Sequence, residues 1–325
     1  SRFNSRIGTD PGCLTGRGWY YGIDHNHGID FDFLSVVMHE IGHGLGFSNF
    51  VNEATGSLGG ASPGFDGYTD VYNNWTYDVS TGQGWRDMTQ AERAASAVND
   101  RNVVWVGGQV TAEAQTFLGP RPSMVVQTPR HLQGSVEVQT ATFGPPLTVD
   151  GTDGKVVLAN DGVGVSSDAC EPLAVRTPGK IVLADRGTCA FTIKVANAQA
   201  AGAKAVIIAN NVNVGLPGMG GADPSIRIPS VGITKADGDA LRVALFPSAN
   251  VNLVLDSNVK AGTANGWVRL YAPNPVAPGS SGSHFDVTAT PNLLMEPFIN
   301  SDLRPVDTLD LTPALLEDIG WTVLP

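Results

Sequence analysis

Cysteine, charge and long apolar runs are all scarce in this sequence. With 3 cysteines in 325 residues, the chain is not a disulfide scaffold, and it is long enough to bury a core of its own. Charged residues make up 16% and the formal net charge is −11. We therefore expect neither nucleic acid nor an anionic membrane surface as a partner, because both require a basic patch. No apolar run reaches the ~18 residues of a membrane-spanning helix, so none is predicted.

The residues that are present are unevenly distributed. All six lysines lie between residues 155 and 260, whereas all six tryptophans and all six tyrosines lie outside that stretch. A single domain rarely sorts three residue types in this way, and exposed loops tolerate insertions. We therefore expect a discontinuous host domain, residues 1–133 and 263–325, interrupted by an inserted module over residues 134–262.

Residues 31–47 read FDFLSVVMHEIGHGLGF. Their apolar side chains recur at three- and four-residue steps, which predicts a helix capped by Asp30 or Asp32. The flanks are apolar, so we expect this helix to be buried. Glycines at 42, 44 and 46 are poor helix formers and indicate that the helix ends just past His43. Its apolar stripe consists of Phe31, Leu34, Met38, Ile41 and Leu45.

This helix carries two histidines at metal-ligand spacing. His39 and His43 are four residues apart, so both imidazoles leave the same face and can hold one zinc ion. Glu40 directly follows His39 and leaves the helix in a different direction from the two histidines. From there it can reach a water on the metal without binding the metal itself. A hydrolytic zinc site needs a third protein ligand and one open position.

The stretch HEIGHGLGFSN resembles the metzincin signature HExxHxxGxxH, with Gly46 at the glycine position. At the last position the chain has Asn49 in place of histidine. Either the third ligand lies elsewhere or the site is inactive. A thermolysin-like site would use a later glutamate, but Glu53 and Glu92 do not lie in a suitable pattern. The remaining histidines are His25, His27, His131 and His284.

Within the expected module, short β-runs alternate with helical segments. Strands are predicted near residues 180–184, 205–209, 228–233 and 251–255, and helices at 191–201 and 235–244. The stretch GKIVLADRGTCAFTIKVANAQAAGAKAVIIANN, followed by IPSVGIT, resembles a protease-associated (PA) domain. That resemblance implies an α/β module with a small open β-barrel and a disulfide between Cys170 and Cys189. Residues 134–262 offer no catalytic constellation, so we expect this module to govern substrate access or protein binding.

After the module, Ser283-His284-Phe285-Asp286 precedes a segment that ends in Met295. This order resembles the leishmanolysin-like branch of the metzincins, in which an insertion separates the helix from a third histidine that precedes a methionine turn. The resemblance covers nearly the whole chain and implies an α+β catalytic domain with a mixed sheet. It implies one catalytic zinc ion held by His39, His43 and His284, with Glu40 as general base. Met295 would pack beneath the metal.

Three local predictions concern the rest of the host. Thr89 and Glu92 form a capping box that predicts a helix to about residue 99. Residues 103–106 are predicted as a short buried strand or connector. Near the C-terminus, Thr312 as the cap and Pro313 at the first helical position predict a short helix, similar to the C-terminal helix of metzincin peptidases.

We interpret the chain as a secreted zinc endopeptidase that hydrolyses proteins or peptides. The alternative is a decayed or truncated peptidase that binds proteins through its PA domain. A two-metal aminopeptidase would need a second ligand set, which the sequence does not supply. A structural Ca²⁺ is compatible with the sequence, but no pattern assigns it, and oligomeric state is not encoded in any motif.

The N-terminal part of the host is short for a metzincin. Only 38 residues precede His39, and only Arg2–Ile7 resembles a strand. We expect the chain to begin inside the catalytic domain. Cys13 is left over once Cys170 and Cys189 pair, so we expect its partner outside this sequence. A disulfide in an acidic chain favours an extracellular location.

Overall fold

The computed structural model describes residues 3–59, 67–213, 215–305 and 307–323. The chain divides into two compact units. Unit 1 comprises Ser1–Gly119 and Val259–Pro325, and unit 2 comprises Pro120–Asn258. Residues 120–133 thus belong to unit 2, whereas the sequence analysis assigned them to the host. The reason is that the strand Pro120–Thr128 pairs with Gly134–Glu137 and is part of the sheet of unit 2.

The structure is mixed α and β. The helices are α1 Phe33–Gly44, α2 Gln90–Ser96, α3 Gly108–Phe117, α4 Phe191–Ala200, α5 Lys235–Ala244 and α6 Thr312–Asp318. The strands are β1 Trp19–Tyr20, β2 Phe31–Asp32, β3 Thr76–Asp78, β4 Gln83–Gly84, β5 Val103–Trp105, β6 Pro120–Thr128, β7 Gly134–Glu137, β8 Gln139–Thr140, β9 Thr152–Leu158, β10 Ile181–Asp185, β11 Ala205–Ala209, β12 Ser230–Ile233, β13 Asn250–Lys260, β14 Thr263–Ala264 and β15 Trp267–Arg269. Among the described helices, none is long and apolar enough to cross a bilayer.

Unit 1 is organised around a five-stranded sheet in the order β14-β15-β5-β3-β4. Its central strand β5 is buried along its whole length, as the sequence predicted. The core of unit 1 contains five fully buried aromatic side chains among its aliphatic ones: Phe47, Tyr72, Trp85, Trp105 and Phe285. Large aromatic side chains supply much apolar area in a host with short strands.

Helix α1 begins at the cap that the sequence predicted. Asp32, and not Asp30, is the N-cap, and its side chain accepts a hydrogen bond from the Leu34 N–H. The buried residues of α1 are Ser35, His39 and Gly42. The apolar stripe of the sequence analysis is therefore not the buried face, and Ile41 in that stripe is 53% exposed. The face that turns inward is the one that bears the first histidine.

The starts of α2 and α6 can be compared with the caps predicted for them. The capping box of α2 is present, since Thr89 and Glu92 bond each other's backbone in both directions. At α6 the prediction of Thr312 as the cap is wrong. Thr312 is already helical, and the Asp310 carboxylate accepts from the Thr312 N–H at 2.9 Å. A carboxylate two residues upstream thus supplies the cap.

The expected strand at Arg2–Ile7 is not found in residues 3–7, which form turns, and Arg2 lies outside the described residues. The only described strand before residue 31 is β1, which pairs in parallel with β2 through Trp19 opposite Phe31. Residues 3–30 therefore do not build a complete sheet of their own. Cys13 is a free cysteine in the described structure.

Unit 2 contains an eight-stranded mixed sheet in the order β7-β6-β13-β9-β10-β11-β12-β8. Strands β9 to β12 run parallel, and β13 and β8 pair antiparallel to β9 and β12. The predicted strands and both helices of the module are present. The sequence analysis expected a small open barrel, and the described strands form one continuous sheet. The implied disulfide between Cys170 and Cys189 is confirmed.

Both faces of this sheet are covered. Ile181 and Leu183 of β10 point into one apolar cluster together with Leu241 of α5. Val182 points into the other cluster together with Val195 of α4. Alternate residues of one strand thus enter opposite layers, which explains why β10 and β11 read as continuous apolar runs.

The two ends of unit 1 that flank the module lie side by side. The Ala261 N–H donates to the Gly119 carbonyl at 3.0 Å, and the Gly119 N–H donates to Thr290 at 2.7 Å. The Lys260 ammonium donates to the Leu118 carbonyl at 3.0 Å. The host is therefore joined across the point where the module leaves and returns.

We expect Asp318→Ala to destabilise unit 1, because Asp318 acts as a remote cap for α3. Its carboxylate accepts from Trp105 Nε1 at 2.9 Å and from the Gln109 and Val110 N–H groups, whereas the N-cap Gly107 has no side chain to do so. The free energy of unfolding should fall by about 2 kcal/mol.

All six tryptophans lie in unit 1, so the test is denaturant unfolding followed by tryptophan fluorescence. The matched control is Glu317→Ala, one residue earlier on α6, which should stay within about 0.5 kcal/mol of the parent. Equal stability of the two variants would contradict the remote cap.

Candidate metal centre

Three imidazole rings converge in unit 1. The Nε2 atom of His43 lies 3.1 Å from Nε2 of His39 and 3.2 Å from Nε2 of His284. The Nε2 atoms of His39 and His284 are also 3.2 Å apart. The three histidines that the sequence proposed as ligands are thus brought together, with the same nitrogen of each ring directed to one point.

The tautomer of each ring follows from its other nitrogen. Nδ1 of His39 lies 2.7 Å from the Leu294 carbonyl, and Nδ1 of His43 lies 2.7 Å from the Phe47 carbonyl. Nδ1 of His284 lies 2.8 Å from the Ser280 carbonyl. A carbonyl oxygen only accepts hydrogen bonds, so each Nδ1 must carry a proton and donate it.

In the neutral rings, each Nε2 therefore carries a lone pair and no proton. Three lone pairs that meet at 3.1–3.2 Å repel one another unless a cation lies between them. Nitrogens bound to zinc at 2.0–2.1 Å in a tetrahedral site lie about 3.3 Å apart. The observed spacing fits that separation, and Nδ1–H donation to a carbonyl is the usual arrangement behind a metal-bound histidine.

Burial keeps the rings neutral. His39 is 7% exposed and His284 is 4% exposed. Loss of solvation lowers the pKa of His39 below its ordinary value and lowers the pKa of His284 to about 4. Neutral imidazole is the form that binds a metal ion, so at neutral pH both rings are ready to act as ligands.

His284 is held in place from several sides. The Tyr271 N–H donates to the His284 carbonyl, and the Phe285 N–H donates to the Met295 carbonyl, each at 2.9 Å. Phe285 also forms a β-bridge with Leu270, directly after β15. The segment that carries the third histidine therefore continues the host sheet. His284 lies 241 residues after His43 in the sequence.

Met295 lies against α1. It is fully buried, and a Cβ atom built on Gly42 would lie 2.6 Å from its sulfur atom. The predicted end of α1 just past His43 is confirmed, since the helix ends at Gly44, and Gly42 lies inside it. Gly42 is glycine because Met295 occupies the space beside it. Gly46, at φ +111°, does follow the end of the helix as expected.

Asn49, at the position where the metzincin pattern has its third histidine, has a different role. Its backbone N–H and its Nδ2 both donate to the Ser283 hydroxyl, at 3.1 and 2.9 Å. Nδ2 also donates to Glu53 Oε1 at 3.2 Å. Asn49 thus ties the loop after α1 to the residue that precedes His284.

Glu40 lies on α1 between the two ligand histidines and is half-buried. Its negative charge acts on His39 and opposes the lowering of that residue's pKa. The Glu40 carboxylate therefore interacts electrostatically with the first histidine of the cluster.

The other candidate ligands lie apart from this cluster. His25 Nε2 lies 3.3 Å from an Asp307 carboxylate oxygen, and His27 Nδ1 faces the Asp30 carbonyl. Glu92 belongs to the capping box of α2, and His131 is exposed on a short 3-10 helix in unit 2.

One acidic cluster in unit 2 has no counterpart among the sequence predictions. Asp161, Asp168 and Glu171 bring their carboxylates within 4.8 Å of one another, with the two aspartates buried and Glu171 exposed. The fully buried Lys194 donates to the Asp168 carbonyl at 2.6 Å and lies in the field of these acids. Its ammonium offsets part of their negative charge.

Residues 151–241 match the PA domain family. This stretch lies inside unit 2, so the chain contains a PA domain, as the resemblance implied.

Relatives with similar sequences include two plant proteins. Vacuolar-sorting receptor 3 of Arabidopsis thaliana is 31% identical over 158 residues, which make up 43% of this chain and 24% of that protein. Signal peptide peptidase-like 3 of the same plant is 39% identical over 92 residues, or 27% of this chain and 17% of that protein. The chain thus spans about a quarter or less of the length of these relatives.

Among solved structures, an aminopeptidase from Aneurinibacillus sp. strain AM-1 is 29% identical, with a TM-score of 0.34, over 43% of this chain and 32% of that one. A zinc aminopeptidase from Bacillus subtilis is 24% identical, with a TM-score of 0.32, over 44% of this chain and 35% of that one.

We expect the protein to bind one zinc ion per chain through the three histidines. His284→Ala removes one of three nitrogen ligands and should weaken zinc binding roughly a hundredfold or more. Calorimetric titration of zinc into chelator-treated protein gives stoichiometry and affinity. The control His131→Ala replaces an exposed histidine outside the cluster and should bind like the parent. Parental affinity in His284→Ala would refute the ligand set.

We expect Glu296, directly after Met295, to make the stability of unit 1 pH-dependent. It is 1% exposed, and burial raises the pKa of its carboxyl group from 4.5 to about 7. The folded state then holds this proton more tightly than the unfolded state. The stabilisation is complete below about pH 4.5 and is lost as pH rises through about 7.

Glu296→Gln removes this titration and keeps a side-chain oxygen for the Leu293 N–H, which now donates to Glu296 at 2.9 Å. Between pH 5 and 8, the parent should lose about 3 kcal/mol relative to the variant. Tryptophan-monitored unfolding in the presence of chelator measures the difference. Parallel pH profiles of the two proteins would contradict this assignment.

Proposed function

We propose that this protein is a zinc endopeptidase of the metzincin type, acting on proteins or peptides. The observation that carries the proposal is the convergence of three unprotonated imidazole nitrogens, each fixed by a carbonyl behind it. Glu40 next to the first ligand and Met295 packed on α1 support it further. The site would hold a single ion through His39, His43 and His284.

The roles of the chain's own residues follow from their positions. A zinc ion bound to the three histidines would supply Lewis acidity, which lowers the pKa of water and polarises a carbonyl oxygen. Glu40 takes the proton of the attacking water and later returns it to the leaving amine nitrogen. The carbonyls of Leu294, Phe47 and Ser280 keep the rings in one tautomer and one orientation throughout. Met295 contributes no ligand and fills the space beside Gly42.

One observation favours a one-metal endopeptidase over a two-metal aminopeptidase. Among the described residues of unit 1, the histidine cluster is the one group of three or more potential ligands whose donor atoms lie together. A second metal ion would need further Asp, Glu or His ligands beside it.

A second candidate function is protein binding through the PA domain, with the peptidase half inactive. The similarity of part of this chain to a sorting receptor gives that alternative its support. The intact ligand set and Glu40 support catalysis. In either case we propose that unit 2 controls access to, or binding of, a protein substrate. We further propose that the protein acts outside the cell, because its disulfide is stable in an oxidising compartment.

We expect Glu40→Gln to abolish hydrolysis and to leave zinc binding intact. Glutamine keeps the size of the side chain but cannot accept the proton, so the rate on casein should fall at least about a hundredfold. Zinc content of the purified variant shows whether the site is still loaded. Glu113→Gln, an exposed change on α3, is the matched control. A zinc-loaded Glu40→Gln variant that digests casein at the parental rate would disprove the mechanism.

A further inference from the structure

A cleft of about 540 Å³ opens directly beside the histidine cluster. His43 forms one end of it. One wall is the segment 48–54, which follows α1, and the other comes from residues 276–283, which precede His284. This volume is in the range of sites that bind small ligands or single substrate side chains. Because the cleft adjoins a metal ligand, a peptide lying across the metal centre would place a side chain in it.

The cleft carries negative charge. Among the described residues that line it, Glu53 is the one ionisable side chain besides His43, and none is Lys or Arg. A second carboxylate lies behind the same wall, since Asp70 accepts from the Phe50 N–H at 2.7 Å. Burial raises the pKa of Glu53 and of Asp70, so both carboxylates would gain from a cation placed beside them.

The cleft also offers apolar side chains, alongside the polar Ser48, Asn49, Asn52 and Ser283. Phe50 is 55% exposed, and Val276 and Pro278 lie on the facing wall. Lysine and arginine side chains pack their methylene groups on apolar surface and place the charge at the end. A cleft that combines apolar side chains with one carboxylate matches that chemistry.

Glu53 is held at a set position relative to the metal ligands. Asn49 Nδ2 donates both to Glu53 Oε1 and to the Ser283 hydroxyl, and Ser283 precedes His284. Asn49 is 7% exposed, so this link is shielded from water. One buried amide therefore connects the carboxylate in the cleft with the segment that carries the third histidine.

We propose that this cleft is a specificity pocket for a basic substrate residue, in which Glu53 pairs with the cationic end of a lysine or arginine side chain next to the scissile bond. The inference rests on the proposed peptidase function and adds the substrate class. It also gives a reason for Asn49: the residue at the third-histidine position of the metzincin pattern orients the recognition carboxylate.

The test uses internally quenched peptides that carry lysine, or its uncharged analogue norleucine, at each of three positions on either side of the cleaved bond. For one position, the ratio of kcat/KM for lysine over norleucine should be roughly two- to fivefold, as for a partly exposed ion pair. Glu53→Gln should bring this ratio close to one. Glu53→Lys should reverse the preference towards glutamate at the same position.

A binding measurement separates recognition from catalysis. Fluorescence anisotropy with the same peptides and the Glu40→Gln protein, which retains the cleft, should give the same lysine preference in Kd. Adding Glu53→Gln to that protein should remove the preference. Glu113→Gln, an exposed glutamate on α3, controls for a general change in net charge and should keep the lysine ratio in both assays.

The outcomes are distinguishable. Hydrolysis with a lysine ratio that does not depend on residue 53 overturns this inference and leaves the peptidase function standing. No hydrolysis by the parent, with a Glu53-dependent lysine preference in binding, overturns the peptidase function and supports the pocket. No residue-53 dependence in either assay, together with no hydrolysis, overturns both.

Discussion

The fold of unit 1 brings three imidazole lone pairs to one point, where they repel one another. Each Nδ1 is committed to a carbonyl, so each Nε2 must face the centre unprotonated, at 3.1–3.2 Å from its neighbours. The three carbonyls belong to three segments: the turn at Leu294, the loop after α1 at Phe47 and the segment before His284 at Ser280. A cation between the three nitrogens would remove this repulsion, so the proposed zinc binding would couple the packing of these segments to the metal ion.

The host can keep its three histidines together despite the inserted module, because the two points where the chain leaves and re-enters unit 1 are bonded to each other. The link between Gly119 and Ala261 joins the chain where it leaves unit 1 to the point where it returns, and Lys260 adds a second contact to the same strand end. The host core is thereby fixed on both sides of the insertion. An insert of this size adds little loop-closure cost when its ends are already held together.

Local patterns predicted a large part of this architecture. The His39–His43 spacing, the Asp32 cap, the Thr89–Glu92 capping box and the apolar runs of β10 and β11 each depend on neighbours a few residues apart, and each is present. The resemblance to metzincins and PA domains added the distant pairings, His284 with α1 and Cys170 with Cys189. Neither pairing follows from periodicity, since each joins residues far apart in the sequence.

Features that depend on contacts between distant segments could not be predicted from local sequence patterns. The apolar stripe of α1 suggested the wrong buried face, because the helix turns Ser35, His39 and Gly42 inward and leaves Ile41 exposed. The packing of Met295 beside Gly42 could not be read from the glycine pattern that marked the end of the helix. Residues 120–133 were assigned to the host, yet β6 takes part in the sheet of unit 2. The cap of α3 comes from Asp318, which no local motif could reveal.

The position of His284 also determines when the site can exist. His39 and His43 are synthesised before the module, whereas the third histidine is synthesised 241 residues after His43, once the whole module has been made. At ordinary rates of translation that interval lasts on the order of tens of seconds. During this time the nascent chain holds only two of the three imidazoles. The proposed three-histidine metal site, and any hydrolysis that depends on it, can therefore form only after the PA domain has been made.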